Sequence, residues 1–164
     1  MNHVYNLSKD GITLRPVNEE DLELLRIWRN DSNNSKFLRK MPYITTEMQK
    51  RWYEQYLLDE DHVMLGIEEI EELHCLVGSV SIYNFSDGVA ELGRVLIGNT
   101  EAHGKKIGVR AIRLAIEIAR KQLGLNRLYL HVNPLNIPAH TIYKQAGFVD
   151  GDMDGTEVVM NISL

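Results

Sequence analysis

The sequence Ile97-Gly98-Asn99-Thr100-Glu101-Ala102-His103-Gly104-Lys105-Lys106-Ile107-Gly108 links two elements whose types follow from the residue pattern. It begins at the end of Val95-Leu96-Ile97, an apolar run typical of a strand. It leads into a predicted helix, because apolar residues recur at helical spacing, at Ile107, Ala111, Leu114, Ala115, Ile118, Ala119 and Leu123. A glycine-bearing turn with lysines at a helix start combines free backbone N–H groups with positive charge, which suits a phosphate-bearing ligand. Many strand–helix turns share this composition without binding one.

A second motif lies downstream, between Asn133 and Phe148. It follows a strand-like segment, Arg127 to Val132, and it contains Asn136, Ala139, Tyr143, Gly147 and Phe148 at the spacing Asn-x-x-Ala-x-x-x-Tyr-x-x-x-Gly-Phe. This pattern resembles a signature of the GNAT superfamily of acyl-coenzyme A N-acyltransferases. The pyrophosphate loop of that family, Gln/Arg-x-x-Gly-x-Gly/Ala, maps onto His103 to Gly108. Two motifs in the family's order are more specific than either motif alone.

The N-terminal part of the chain extends this resemblance. The run Leu14-Arg15-Pro16-Val17-x-x-Glu20-Asp21, followed by Leu24-Leu25-x-x-Trp28-Arg29-Asn30, resembles the GNAT branch that includes the ribosomal-protein N-terminal acetyltransferases. The same branch includes acetyltransferases for polyamines, antibiotics and nucleotide-linked amino sugars. With this segment included, the resemblance covers nearly the whole chain.

The remaining pattern is one of alternating strands and helices. A strand at 11–17 precedes a helix that begins at Asn18, has Asp21 as its capping-box partner, and ends at the polar cluster 30–34. The other predicted elements are a helix capped by Thr45 or Thr46, three strands within 61–97, the long helix, a strand at 127–132, a short helix at 136–145, and closing strands at about 148–151 and 156–163. This order predicts a single domain over residues 1–164. Its fold class is α/β, a GNAT-type sandwich whose mixed, mostly antiparallel sheet of about seven strands is flanked by helices.

Composition excludes several other classes of protein. The chain has 164 residues, 44% of them apolar and 25% charged, and a net charge of −5 that argues against a nucleic-acid partner. No run is long enough to cross a membrane and the N-terminus has no signal-peptide core, which predicts a cytoplasmic protein with no membrane partner. The single cysteine, Cys75, excludes an internal disulfide and is expected to be buried and inert. The Glu68 to Glu72 turn is expected to be a solvated acidic hairpin, and no metal site is expected. A homodimer would be ordinary for an enzyme of this size.

The resemblance implies acetyl-CoA as co-substrate and assigns residues to it. Val95, Leu96 and Ile97 would splay from the neighbouring strand, bind the pantetheine arm through their main chain and offer one N–H to the thioester oxygen. An ordinary buried strand would have the same side chains. Asn136 would bridge cofactor and backbone, or simply cap a helix. The pyrophosphate would lie against His103, Gly104, Lys105, Lys106, Ile107 and Gly108, and the thioester carbonyl near Tyr143.

The loop departs from the family pattern at His103 and Lys106. Because Lys106 has a Cβ where the family usually has glycine, a left-handed backbone at this position would cost up to a few kcal/mol. The loop is therefore expected to stay right-handed there, with Lys105 or Lys106 supplying positive charge. The alternative is a left-handed residue with reduced cofactor affinity.

Catalysis needs an acid for the departing thiolate and a base for the attacking amine. The resemblance assigns the acid role to Tyr143, because a phenol with a pKa of about 10 is protonated at rest and can protonate a thiolate. A core aromatic on a short helix is the structural alternative. For the base, Glu91 matches a common acidic position of the branch and His131 has a suitable pKa. Both could equally have structural roles, and a relayed water could replace them.

These assignments predict an N-acetyltransferase that moves an acetyl group from acetyl-CoA to a primary amine by direct attack. The acceptor pocket would be formed by Trp28, Arg29, Asn30, the 36–44 loop and strand 79–83, together with Glu91. An amino sugar nucleotide and a peptide N-terminus suit it about equally, and a small polyamine is a further candidate. A non-catalytic CoA-binding or regulatory module on the same fold is the alternative.

Overall fold

The computed structural model describes residues 3–37 and 40–164. Its strands are β1 (Leu7–Lys9), β2 (Ile12–Pro16), β3 (His62–Glu69), β4 (Cys75–Ser86), β5 (Val89–Ile97), β6 (Arg127–Val132), β7 (Val149–Asp154) and β8 (Glu157–Ser163). They form one sheet in the order β1-β2-β3-β4-β5-β6-β8-β7. Every neighbouring pair is antiparallel except β5 and β6, which are parallel.

Helices cover both faces of this sheet. They are α1 (Leu22–Asn30), α2 (Ser32–Ser35), α3 (Thr46–Tyr56), α4 (Ile107–Lys121) and α5 (Ile137–Ala146), with short 3-10 turns at Glu19–Asp21 and Thr100–Ala102. In the described part of the chain, no helix is long and apolar enough to cross a membrane.

Alternation along the strands divides the core into two layers. On one face, Leu65 and Ile97 pack with the apolar side of α4, whose Ala111, Ala115 and Ile118 are fully buried. On the other face, Met64 and Leu96 pack against a cluster supplied by α1 and α3, which contains Leu25, Trp28, Tyr53 and Tyr56. Successive strand residues point to opposite faces, so each strand contributes to both layers. The predicted sandwich is confirmed.

Several local predictions are also confirmed. Asn18 and Asp21 form the capping box, and the Thr45 hydroxyl accepts from the Met48 N–H at the start of α3. The turn between β4 and β5 places Asp87 and Gly88 at φ values of 48° and 77°, the left-handed conformations that a tight hairpin requires.

Other local predictions are wrong in ways that have simple physical causes. The sheet has eight strands because β1, only three residues long, adds to its edge, and the polar cluster after α1 forms the short helix α2. β7 continues to Asp154 through residues expected to form a turn. Cys75 is exposed, not buried, because the irregular pairing of β3 with β4 places Leu76 and Val77 inward instead.

The acidic turn between β3 and β4 is not fully solvated. Glu69 is only 3% exposed, and its carboxylate accepts the backbone N–H groups of Glu71, Glu72 and Leu73. These bonds lower the pKa of Glu69 to about 2, with the Leu73 bond the largest cause. The buried carboxylate of Glu69 therefore stabilises the backbone conformation of the turn.

Candidate functional site

The sheet opens between its two parallel strands. β5 and β6 pair only from Val89 to Glu91 on β5 and from Arg127 to Tyr129 on β6, although β5 continues to Ile97 and β6 to Val132. From Leu92 onward, β5 therefore has no strand partner on its β6 side among the described residues. The divergence that the resemblance implied for Val95, Leu96 and Ile97 is present.

A bulge on the other side of β5 accompanies this opening. Ser81 of β4 lies opposite Gly93 and Ser79 lies opposite Leu96, so β5 carries one extra residue between these pairs. Arg94 is in this bulge with a left-handed φ of 52°. Bulges bend a strand and increase its twist, which favours the separation of β5 from β6.

The loop after β5 is tied back to that strand. The Nε2 of His103 lies 2.8 Å from the carbonyl oxygen of Ile97, so this nitrogen carries the proton and donates. The first hydrogen bond into α4 runs from the N–H of Arg110 to the carbonyl of Lys106, at 3.3 Å. The N–H groups of Ile107 and Gly108 precede it and point out of the helix start, a geometry suited to anion binding. Gly108 also allows α5 to approach, because a Cβ there would lie 3.3 Å from Ile142.

Lys106 has a left-handed backbone, with φ 57° and ψ 26°, and Gly104 has a φ of 77°. The expectation of a right-handed residue at Lys106 is therefore wrong. The chain must turn sharply between the bonded His103 and the first turn of α4, and this turn needs the left-handed conformation even though a Cβ is present. Such a conformation costs about 1–2 kcal/mol in a residue other than glycine.

The two lysines of the loop have different surroundings. Lys105 forms an ion pair with Glu72 of the β3–β4 turn, so its charge is already balanced. Lys106 is exposed and forms no ion pair with a described residue. Of the two residues predicted to supply positive charge, Lys106 is the one whose charge is available.

Tyr143 lies under the sheet face that α4 covers. Its side chain is 8% exposed, its ring packs edge-on against Phe148, and burial raises its pKa to about 12. The hydroxyl makes no hydrogen bond to a described residue and is not among the fully buried unpaired atoms, so it reaches accessible space. Tyr143 is thus both a core aromatic and an available proton donor. Asn136 caps α5, its side chain accepting the N–H of Ala139 at 3.3 Å.

Glu91 and His131, the two predicted bases, are in direct contact. The Nδ1 of His131 lies 3.0 Å from Oε1 of Glu91, and its Nε2 lies 3.1 Å from Oδ2 of Asp154 at the end of β7. Glu91 also accepts from the hydroxyl of Tyr83 at 3.2 Å and from the amide of Asn84 at 2.9 Å. Because Glu91 is the last β5 residue paired with β6, this group lies where the two strands separate.

The protonation of His131 follows from these contacts. Burial lowers its pKa, but the hydrogen bonds to Glu91 and Asp154 outweigh burial, and the pKa is raised above its ordinary value of 6.5. Only the protonated ring can donate to both carboxylates at once. When the ring is protonated, His131 therefore donates one hydrogen bond to Glu91 and one to Asp154.

Of the predicted acceptor residues, Trp28 and Asn30 make structural contacts, whereas Arg29 lines a cavity. Trp28 is 8% exposed, and its ring lies so close to Gly98 that a Cβ there would be 2.0 Å from it, so Trp28 joins α1 to the end of β5. Asn30 holds Ile44 through its backbone N–H and carbonyl, at 2.8 and 2.9 Å. Arg29 lines a cavity of about 350 Å³ formed with Lys40 and its neighbours. Residues 38 and 39 of the predicted 36–44 loop lie outside the described residues.

Other functional features can be placed as well. A cavity of about 320 Å³ between α1 and α3 contains none of the predicted site residues. No group of three His, Cys, Asp or Glu side chains in the described part of the chain is arranged to hold a metal ion.

The partners of the Glu91–His131 pair were not predicted from the sequence. They are Asp154, Tyr83 and Asn84. Alternation along β4 could have placed Tyr83 on the face of Glu91, whereas Asp154 was hidden in an apparent turn.

Comparison with known proteins assigns this arrangement to a family. The family model of the acetyltransferase (GNAT) domain matches residues 12–149, which is most of the chain. The chain belongs to the GNAT acetyltransferases. This confirms the predicted fold class, the enzyme class of N-acetyltransferase, and acetyl-CoA as the co-substrate.

Individual relatives are more distant. The chain is 29% identical over 147 residues to the spermidine N(1)-acetyltransferase of Escherichia coli strain K12, a match that covers 89% of this chain and 77% of that protein. It is 29% identical over 154 residues to an uncharacterized protein of Methanocaldococcus jannaschii, covering 89% of this chain but only 30% of the relative. The crystal structure of spermidine N-acetyltransferase from Vibrio cholerae, in complex with CoA and spermine, has a TM-score of 0.82 at 24% identity and covers 94% of this chain and 96% of that one.

Proposed function

We propose that this protein transfers an acetyl group from acetyl-CoA to a primary amine by direct attack within a ternary complex. The observation that carries the proposal is the opening between β5 and β6, which begins at the Glu91–His131 contact and ends at the glycine-bearing loop. The seven residues from Glu91 to Ile97 span about 20 Å of strand. A long, extended ligand with phosphates at one end and a reactive group at the other would match this opening.

The co-substrate follows from this geometry. The unpaired main-chain groups of Val95, Leu96 and Ile97 would hydrogen-bond the pantetheine arm, and the free N–H groups at the start of α4 would bind the pyrophosphate. Lys106 would add an unpaired positive charge beside it. His103 positions the loop by its bond to Ile97. Asn136 acts by capping α5, the helix that carries Tyr143.

The proton from the attacking amine goes to the Glu91–His131 pair. An amine must lose a proton to become the neutral product amide, and a base near neutrality is the efficient acceptor. His131 becomes able to accept as the pH rises through its raised pKa, while Glu91 stabilises the charge that forms on the ring. Tyr143 then donates its hydroxyl proton to the departing thiolate, since its pKa of about 12 keeps it protonated throughout the working range.

The acceptor is a primary amine of small or moderate size. The spermidine acetyltransferase relative supports a small polyamine, and the N-terminal run through Trp28, Arg29 and Asn30 supports the branch that includes ribosomal-protein N-terminal acetyltransferases and amino sugar nucleotide enzymes. The alternative function, a CoA-binding module without turnover, makes a different prediction for Tyr143.

The test is a Tyr143→Phe variant assayed for thiol release from acetyl-CoA with a panel of amines. Loss of a general acid is expected to lower kcat by about 100-fold or more. CoA affinity measured by calorimetry should stay the same. Tyr5→Phe is the control, because the Tyr5 hydroxyl also has no hydrogen-bond partner among the described residues and lies outside the site. If Tyr143→Phe turned over at the wild-type rate, the assignment of Tyr143 as the general acid would be wrong. CoA binding with no turnover on any amine would favour the non-catalytic module.

A further inference from the structure

Two arginines have no counter-ion among the described residues. Arg29 is half-buried near the end of α1, and Arg94 is exposed in the β5 bulge. Neither forms an ion pair with a carboxylate in the described part of the chain. Burial, followed by the positive charge of Arg94, lowers the pKa of Arg29. The half-buried charge of Arg29 is thus not compensated by any described residue.

Unlike Arg29, the other partly buried arginines on this side of the sheet are paired. Arg15 contacts Asp21 and Glu68, and Arg26 contacts Glu23 one turn before Arg29 on the same helix. A partly buried charge without a partner is unfavourable in a folded protein. Arg29 is therefore an exception to the pattern of its own helix, and an anionic ligand would remove the unfavourable interaction.

A cavity provides room for such a ligand. The 350 Å³ cavity is lined by Arg29 and by Lys40, with the polar side chains of Ser35 and Tyr43 beside them. Among the described residues, its lining contains no carboxylate. Guanidinium, ammonium and hydroxyl groups are all hydrogen-bond donors, the set that phosphate and carboxylate oxygens require.

The helix that carries Arg29 packs against the strand that carries the proposed base. Trp28, the residue before Arg29, is in one packed cluster with Leu96 of β5. Arg94 is also on β5; its guanidinium lies over the ring of Tyr83, 4.5 Å from its centre, and the hydroxyl of Tyr83 donates to Glu91. The cavity at the end of α1 and the proposed base therefore both lie beside β5.

We infer that this cavity binds an anionic group, a phosphate or a carboxylate, carried by the acceptor amine. The inference rests on the proposed function, since it specifies the acceptor of that reaction. The amine lies at Glu91 and His131 and the anion lies between Arg29 and Lys40. Cationic polyamines are disfavoured acceptors, because Arg29, Arg94 and Lys40 repel them.

The experiment compares three amino sugars that differ only at carbon 6. They are glucosamine, glucosamine 6-phosphate and 2-amino-2-deoxyglucuronic acid, which are neutral, phosphate-bearing and carboxylate-bearing at that position. Their dissociation constants are measured by calorimetry on the full chain without CoA, for wild type, Arg29→Gln and Lys40→Gln. Arg120→Gln is the matched control, because Arg120 is exposed on α4 and removes the same charge far from the cavity.

Wild type is expected to bind one or both anionic sugars about tenfold more tightly than glucosamine, the effect of one charge-assisted hydrogen bond. The preferred anion identifies phosphate or carboxylate as the group recognised. Arg29→Gln and Lys40→Gln should each reduce the preference, and Arg120→Gln should keep it. Equal binding of all three sugars by wild type, including no binding of any, or an unchanged preference in both cavity variants, would overturn the inference.

Thiol release from acetyl-CoA, measured with the same sugars and with other amines, separates this inference from the proposed function. An anion preference in binding without any acetylation would leave the cavity assignment intact and remove the proposed function. Acetylation of amines without an anion preference in binding would support the proposed function and overturn the assignment of the cavity.

Discussion

Glu91 and His131 form the pair to which the proposed function assigns the proton of the attacking amine. The carboxylate raises the pKa of the imidazole, and Asp154 adds to this effect from the end of β7. Asp154 is mostly exposed, whereas Glu91 is largely buried, so Glu91 is the stronger partner. Asp154 is a positioning residue, since it reaches the reaction only through His131.

This arrangement predicts the effect of Asp154→Asn on the pH profile. His131 must lose its proton before it can accept one, so kcat/KM should rise as the pH passes through a pKa above 6.5. Removal of the Asp154 carboxylate takes away one of the contacts that raise this pKa. The acidic limb of the profile should therefore move to lower pH in the variant.

The control is Asp152→Asn, which removes an exposed carboxylate from the same strand. Its profile should match that of wild type. An acidic limb that stays in place in Asp154→Asn would show that His131 does not carry the titrating proton.

At the level of elements, the start of α4 combines backbone strain with a free charge at Lys106. The left-handed backbone at Lys106 belongs to the folded chain, so its cost falls on the stability of the fold. The positive charge, by contrast, acts only when phosphates are bound. The two effects can be separated by substitution.

Lys106→Gly should raise the free energy of unfolding by about 1 kcal/mol, because glycine adopts this backbone without a Cβ penalty. It should weaken CoA binding, because a cation is lost. Lys106→Gln keeps the Cβ and should weaken CoA binding with no gain in stability. Denaturant unfolding and calorimetry measure the two quantities. A Gly variant no more stable than the Gln variant would contradict the assigned strain.

The β3–β4 turn depends on the ionised carboxylate of Glu69. Its pKa of about 2 in the folded state lies below the ordinary value of 4.5, so its contribution to stability is complete above pH 4.5 and is lost as the pH falls toward 2. The stability difference between wild type and Glu69→Gln should therefore be largest near neutral pH and shrink in acid.

Chemical unfolding at a series of pH values measures this difference. Glu71→Gln is the control, because Glu71 is exposed and its side chain accepts no backbone N–H from a described residue. A difference between wild type and Glu69→Gln that stays constant from pH 7 to pH 3 would contradict the role given to this carboxylate.

For the whole molecule, the opening between β5 and β6 is a gap in the sheet as well as the proposed binding site. Strands that diverge leave main-chain groups without ladder partners, so a ligand that bonds to them stabilises the folded state. The two core layers hold β5 from either face, through Ile97 on the α4 side and Leu96 on the α1 side. The gap can therefore stay open without collapse of the sheet.

CoA at 100 times its dissociation constant should raise the free energy of unfolding by about 2.7 kcal/mol. Amide hydrogen exchange should slow within residues 92–97 and 105–109, and little in β1 to β3. Adenosine at the same concentration serves as the control, because it lacks the phosphates and the pantetheine arm. Unchanged exchange in these two segments, with CoA bound, would show that the cofactor lies elsewhere.

The sequence determined the larger features of this protein by itself. Helical spacing after Ile107, the capping pair Asn18 and Asp21, and the Asp87–Gly88 turn depend on interactions between residues close in the chain, which the local pattern contains. The two motifs, taken together, also predicted the family and the co-substrate.

Only the tertiary structure decided the features that depend on distant parts of the chain. The contact of Glu91 with His131 and the pairing of Lys105 with Glu72 arise when segments far apart in sequence meet at fixed distances. The exposure of Cys75 and the separation of Arg29 from every described carboxylate depend in the same way on which neighbours the fold brings near. A residue's charge and reactivity are set by its surroundings in space, and local sequence specifies those surroundings only within a few residues.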